Sequence, residues 1–235
     1  MKSLLLLFLT LPLLAGTYKA KIEPLESVTL SAQYGGQIVL LDQSDELKMQ
    51  DKKVLVIDHM LESKELANNQ TKLKLLGEQI RIKQRQYNRI KDLKGQSLFN
   101  KERYQSELLN LKMQRNDLLN QIAKLKDVIA KKEITLHNRY LKKLYVRKGA
   151  FVSPGRKLMD VEDLSGSRIV LYVDAKDRAN LDIGKITIDG KKEHGYRIQK
   201  AAKTTDDQYL SSYRVELVKE GTAPFGKIVT VVIGE

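Results

Sequence analysis

The chain has 235 residues, a formal net charge of +13, 42% hydrophobic residues and no cysteine. The missing cysteine excludes disulfides, thiol catalysis and a lipid anchor on an N-terminal cysteine. The basic excess suits an anionic partner surface or anionic lipid. Nucleic acid is not an expected partner, because no groove-reading motif or aromatic stacking platform accompanies the charge.

The N-terminus has the pattern of a signal sequence: Lys2, an apolar core from Leu4 to Leu14, then the small pair Ala15-Gly16 where cleavage is expected. The apolar stretch is shorter than the ~20 residues of an ordinary spanning helix, which leaves an uncleaved anchor as the weaker alternative. An exported, soluble mature chain is expected. Residues 28–41 run strand, Gly35-Gly36 turn, strand, and Val54–Ile57 forms a further short strand.

From Ile57 to Leu136 there is no proline, and the glycines are Gly77 and Gly95 alone. Leu66, Leu73, Ile80 and Tyr87 recur every seven residues, with Asn69, Leu76, Lys83 and Ile90 as a second row. On the return, Leu108, Leu111, Arg115, Leu118, Ile122, Leu125, Ile129, Lys132 and Leu136 step by three and four. This spacing predicts two long antiparallel helices meeting along a narrow coiled-coil seam. Lys83, Arg115 and Lys132 interrupt it, and a two-helix seam lets such side chains snorkel outward. Polar residues at seam positions also tune register, the second reading of the same three.

After the helices, Val146, Gly149, Val152, Gly155 and Leu158 form V-x-x-G-x-x-V-x-x-G-x-x-L. Each glycine is expected to close a tight turn, and the Val and Leu side chains to face a small core. Residues 167–184 read as a strand, a short helix and a glycine, and residues 215–217 and 228–233 alternate as half-buried strands. Neither flank of the helical pair has strands enough to bury a face alone, so the two are expected to form one small domain.

These flanks resemble a split biotinyl/lipoyl-type β-sandwich. Together with the inserted hairpin they resemble a membrane-fusion protein, the periplasmic adaptor of bacterial tripartite efflux and secretion pumps. Thr17–Glu26 is similar to that family's first barrel strand, and 223–233 to its closing loop and strand, with Phe225 intervening in the usual Pro-Gly. The resemblance implies an elongated mixed α and β chain: a signal peptide at 1–16, a β-barrel from 17–25 and 164–235, a lipoyl-like domain from 26–58 and 138–163, and a helical hairpin over 59–137. At the hairpin tip, adaptors that dock to outer-membrane channels carry Arg, Leu four residues on, and Ser seven beyond. Arg89 and Leu93 match, and Asn100 stands at the Ser position, where it is expected to cap the return helix. A loop with Thr222, Pro224 and Phe225 is the candidate transporter-facing surface. The partners so implied are an inner-membrane transporter, an outer-membrane channel and further copies of the chain in a ring, all in the periplasm. The family's Ala-Pro-x-Asp-Gly opening of the second lipoyl half is replaced by Leu136–Tyr140, and Asp51 stands where a turn glycine is common. The membrane-proximal domain common in proton-driven (RND-type) adaptors is not expected here. That leaves the transporter class open.

No nucleophile elbow, phosphate loop or catalytic carboxylate pair is present in the sequence, so a non-enzyme without cofactor or metal is expected. Lys52-Lys53 sits in an expected turn but lacks the flanks of a lipoylation site. His59 and His137 are expected to meet at the hairpin base as surface histidines, and His194 lies apart. The alternative function is an envelope coiled-coil scaffold that binds polyanions through its basic helices.

Overall fold

The structure, a computed structural model, describes residues 16–95, 97–192 and 195–234. Residues 1–15 of the expected signal segment, and His194, lie outside the described residues; Gly16, the last residue of that segment, begins the first strand. In chain order the elements are β1 (Gly16–Ser31), β2 (Gly36–Leu41), β3 (Lys48–Ile57), α1 (Met60–Lys91), α2 (Leu98–Lys132), β4 (Glu133–Leu144), β5 (Phe151–Val152), β6 (Lys157–Val173), α3 (Ala175–Ala179), β7 (Ile186–Ile188), β8 (Arg197–Ala201), β9 (Tyr213–Glu220) and β10 (Ile228–Ile233). The chain divides into two compact units, residues 29–160 and residues up to 28 together with 161–235.

In the unit of residues 29–160 the strands lie in the order β5-β2-β3-β4. Strand β2 pairs antiparallel with β3 (Ile38 opposite Ile57) and with β5 (Gln37 opposite Phe151). Its core holds Ile38, Val54, Leu55, Ile57, Leu141, Val152 and Leu158, all buried. The glycine-spaced phrase folds as its residue types dictate. Gly149 and Gly155 take φ of 87° and 82°, where a Cβ would be strained, while Val146, Val152 and Leu158 point inward.

Strands β3 and β4 are antiparallel neighbours with Val56 opposite Glu133. Helices α1 and α2 therefore occupy the place of a β-hairpin turn. They pair antiparallel: Lys132 near the end of α2 bonds the Glu62 carboxylate at the start of α1, and Lys83 meets Glu107 at 2.6 Å toward the other end. At about 1.5 Å per residue, 32 and 35 residues extend roughly 48 and 53 Å. The covered stripe follows the 3-4 spacing, with Asn69, Leu108, Ile122 and Lys132 buried and Leu66, Leu73, Leu76, Ile80, Leu111, Leu118 and Leu125 partly so. Of the three interrupting cations, Arg115 reaches solvent and Lys83 is half-exposed in its ion pair. Lys132 does not escape. It is 7% exposed and donates to the Asp58 carbonyl at 2.9 Å as well as to Glu62.

Helix α2 ends at Lys132, four residues before the expected Leu136. The β-branched pair Ile134-Thr135 favours an extended chain, and β4 gains a ladder with β3 that continues through Leu136, which is buried opposite Lys52. Three expectations change with it. His137 is not at a helix end beside His59; it is an exposed β4 residue 3.3 Å from Asp51. His59 instead precedes α1, 2.8 Å from the Ser63 hydroxyl and 3.0 Å from Glu133. Lys52 and Lys53 lie within β3, not in a turn, and pair with Asp45 and Glu133.

In the other unit, β1 pairs with β10 (Ala20 opposite Val229), β10 with β7, β6 with β9 (Ile169 opposite Leu217) and β9 with β8. The expected first barrel strand and the next strand are one continuous β1 of 16 residues. Side chains from far apart in this strand order, Ile186 and Ile188 of β7 at one end and Val215 and Leu217 of β9 next to the other, share one core with Ala20, Ile22, Leu171 and Val231. A flat sheet would hold those ends apart, so this sheet is curled around its own core, a half-barrel.

Candidate functional site

Each unit carries one segment that the sequence marks for contact. In the helical unit it is the connection between α1 and α2. Arg89 and Lys91 close the last turn of α1, where cations oppose the negative end of the helix dipole. The Leu93 amide donates to the Ile90 carbonyl at 3.2 Å, and Gly95 reverses the chain at φ 96°. The capping residue of α2 is Ser97, not Asn100: the Ser97 hydroxyl accepts from the Asn100 amide at 3.3 Å. Serine and asparagine cap equally well, and the Ser97 position starts the helix three residues earlier, which adds most of a turn. Asn100 thus lies in the first turn, half-buried, while Arg89 is exposed and Leu93 is 49% exposed.

Two further side chains belong to this surface and were not singled out from the sequence. Leu98 and Phe99, in the first turn of α2, are 70% and 72% exposed. Their signal was legible: two adjacent large apolar residues directly after a capping serine cannot both face a single partner helix. The connection thus presents apolar Leu93, Leu98 and Phe99 among the basic Arg89, Lys91, Lys94 and Arg103. Arg103 and Lys83 both stand over the Tyr104 ring, at 5.6 and 5.5 Å from its centroid. Exposed apolar groups with a cationic rim suit contact with an acidic protein surface.

In the half-barrel unit the loop from Gly221 to Gly226 is tied down at both ends. The Gly221 amide donates to the Ser165 carbonyl at 2.8 Å, and the Gly226 amide to the Ile22 carbonyl at 2.9 Å. Thr222 and Pro224 are exposed, but Phe225 turns inward and packs on the barrel core. Packing the aromatic ring there anchors the loop and leaves Phe225 only partly exposed. Beside the loop is a cavity of about 250 Å³ lined in part by Asp189, Lys191, Tyr196, Lys219 and Lys227. Lys227 holds Asp189 at 2.7 Å; that bond, with a second from the Thr230 amide, keeps the Asp189 carboxyl below its ordinary range.

Among the described residues, no group of three or more His, Asp or Glu side chains is placed to hold a metal ion, and no helix is long and apolar enough to cross a membrane.

No family model matches the sequence, and no curated protein is similar to it at the sequence level. The fold has clear counterparts among solved structures. The membrane fusion protein Spr0693 from Streptococcus pneumoniae R6 superposes with a TM-score of 0.61 at 10% identity, over 94% of this chain and 99% of that one. This chain has the fold of the membrane fusion proteins. A candidate efflux transporter from Bacteroides eggerthii DSM 20697 matches with a TM-score of 0.61 at 14% identity, over 94% and 69% of the two chains. A MacA–MexA chimeric protein that contains the Pseudomonas aeruginosa MexA α-hairpin domain matches with a TM-score of 0.55 at 18% identity, over 94% and 80%. The membrane fusion protein fold thus accounts for nearly the whole described chain, helices and half-barrel alike.

Proposed function

We propose that the protein is the periplasmic adaptor of a tripartite efflux pump, bridging an inner-membrane transporter to an outer-membrane channel and carrying no catalysis of its own. The observation that carries this reading is the insertion of two roughly 50 Å helices at the β3–β4 turn of a membrane fusion protein fold. A paired helical rod of that length, ending in exposed Leu93, Leu98 and Phe99, is a reaching device. In this reading residues 29–160 hold a lipoyl-like sandwich split by a coiled-coil hairpin, and copies of the chain ring the transporter. The signal segment exports the chain, and the half-barrel with its Thr222–Pro224 loop meets the transporter.

Arg89 and Leu93 contact the channel in this scheme, and Asn100 supports the same surface from the first turn of α2. The test is site-specific photocrosslinking from position 98, exposed on the same surface, in the native cell, together with substrate export. Arg89→Ala and Leu93→Asp are expected to abolish export and the crosslink to an outer-membrane protein while leaving the protein exported and folded. Exposed substitutions of this kind usually change stability by less than about 0.5 kcal/mol. Lys124→Ala, on the exposed side of α2, is expected to have no effect. Full export with Leu93→Asp overturns the docking assignment; losses of equal size from Arg89→Ala and Lys124→Ala would favour a polyanion-binding scaffold.

A further inference from the structure

Asp177 is a buried carboxylate that the adaptor reading does not use. It lies in the first turn of α3, 6% exposed, and accepts a hydrogen bond from the Tyr18 hydroxyl at 2.6 Å. That hydroxyl in turn accepts from the Asp174 amide at 3.3 Å. Among the described residues no ion pair reaches Asp177. A buried carboxylate held by a neutral phenol, with no counter-ion, is a costly arrangement. Burial, and then the bond to Asp177, push the Tyr18 hydroxyl up to about 12, so it stays a neutral donor and supplies no charge.

The residue pressed against this carboxylate is Gly16. A Cβ built on Gly16 would stand 1.5 Å from Asp177 Oδ2 and 2.6 Å from its carboxyl carbon, so any side chain there would displace the carboxylate from its bond to Tyr18. A backbone nitrogen lies about 2.5 Å from a Cβ on the same residue, which places the Gly16 nitrogen within roughly 4 Å of Oδ2. That is ion-pair range. As a peptide nitrogen it brings no charge to the site. Gly16 is also the residue that follows Ala15, the small residue ending the apolar leader.

We propose that an envelope processing peptidase hydrolyses the Ala15–Gly16 bond, one residue before the 1–16 boundary read from the sequence, and that the new Gly16 α-ammonium becomes the counter-ion of Asp177. Water adds across the peptide bond; Ala15 leaves as a carboxylate, and the Gly16 nitrogen takes up the protons that make it an ammonium near neutral pH. Cleavage then completes the half-barrel unit, since β1 starts at Gly16 opposite Ile233 with its charged end seated on α3. Glycine at this position leaves room for the Asp177 carboxylate, a steric reason independent of the peptidase. The proposal rests on the exported-adaptor reading only in requiring that the chain reach the envelope.

The test starts with protein purified from envelope extracts. N-terminal sequencing and intact mass are expected to give a chain beginning Gly-Thr-Tyr-Lys; a start at Thr17, or retention of residues 1–15, overturns the proposal. Asp177→Asn is expected to lower the melting temperature by roughly 4 °C in the protein that starts at Gly16. The same substitution is expected to cost less than about 1 °C in a variant with one serine inserted between Ala15 and Gly16, which moves the ammonium one residue away. Equal losses in the two backgrounds overturn the ion pair. If Asp177→Asn does not accumulate, NMR titration of the Gly16 α-amine in the otherwise unaltered protein decides. The amine is expected above its ordinary value of about 7.7–8.0, and a value within or below that range overturns the ion pair. Crosslinking and export measured on the same protein report on the adaptor reading separately, since loss of that function with a Gly16 start leaves the processing inference standing.

Discussion

Ser97 and Asn100 stand three residues apart, and either residue type satisfies the free amides at the start of a helix. The one that does so also determines which side chains the first turn displays. With Ser97 as the cap, Leu98 and Phe99 become helical and exposed, and Asn100 moves inward. Ser97→Ala removes the hydroxyl that accepts from the Asn100 amide and is expected to cost about 1 kcal/mol, read from thermal melts. Asn100→Ser leaves that cap in place and is expected to be nearly silent in the same measurement. A larger loss from Asn100→Ser than from Ser97→Ala would return the capping role to Asn100. Arg89 and Leu93 are exposed at the spacing read from the sequence, and their contact with a channel remains the proposal tested by crosslinking.

At the scale of the helical pair, apolar spacing places the covered stripe, but two of its buried members are polar and behave differently. Lys132 is paired, bonded to Glu62 and to the Asp58 carbonyl. Asn69 is 5% exposed, and its side-chain amide nitrogen has no partner among the described residues. Burying an unsatisfied amide is destabilising, so Asn69→Leu is expected to stabilise the protein by about 1 kcal/mol, measured by denaturant unfolding. A destabilised variant would show that the amide is satisfied by water. The base of the pair is held by carboxylates whose protonation has a definite sign. Burial raises the Glu62 carboxyl, but the Lys132 hydrogen bond and charge outweigh it and leave the group below its ordinary range. The Lys53 hydrogen bond, against burial and with help from His59, does the same for Glu133. A depressed carboxyl contributes stability that is complete above its unfolded value of 4.5 and is lost as pH falls through the depressed folded value. Helix loss followed at 222 nm is therefore expected to shift to lower temperature below about pH 4.5, and less steeply in Glu62→Gln. An acid shift unchanged by Glu62→Gln would place the sensitivity elsewhere.

For the molecule as a whole, the ladder between β3 and β4 makes a specific excision possible. Val56 and Glu133 face each other across adjacent strands, about 5 Å apart, so residues 59–132 can be replaced by a short Asn-Gly turn. The shortened chain is expected to remain a folded β-protein, with dispersed amide signals by proton NMR and no helical signature from the excised segment. Cutting instead at Leu136, where periodicity alone placed the end of the helix, removes four residues of β4, among them a buried leucine, and is expected to unfold the unit. Equal behaviour of the two excisions would mean that the start of β4 adds nothing to the sheet.

The sequence by itself determined the existence and pairing of the two long helices, because a 3-4 apolar repeat free of proline permits little else. It also determined the V-x-x-G turns, where left-handed glycines and inward valines are dictated locally, and the Arg89–Leu93 spacing at the tip. Only the tertiary structure decided where α2 stops, since Ile134–Leu136 continues the helical spacing and leaves it only because β3 offers a ladder. It likewise decided that Lys132 is buried, because Glu62 and the Asp58 carbonyl come from 70 and 74 residues away to receive it. Phe225 turns into the barrel core for the same kind of reason, and Gly16 meets Asp177 only once α3 is folded beside the first strand. Local periodicity carries no information about partners so distant in the chain, and each of these positions is settled by a contact that exists only once the elements are packed together.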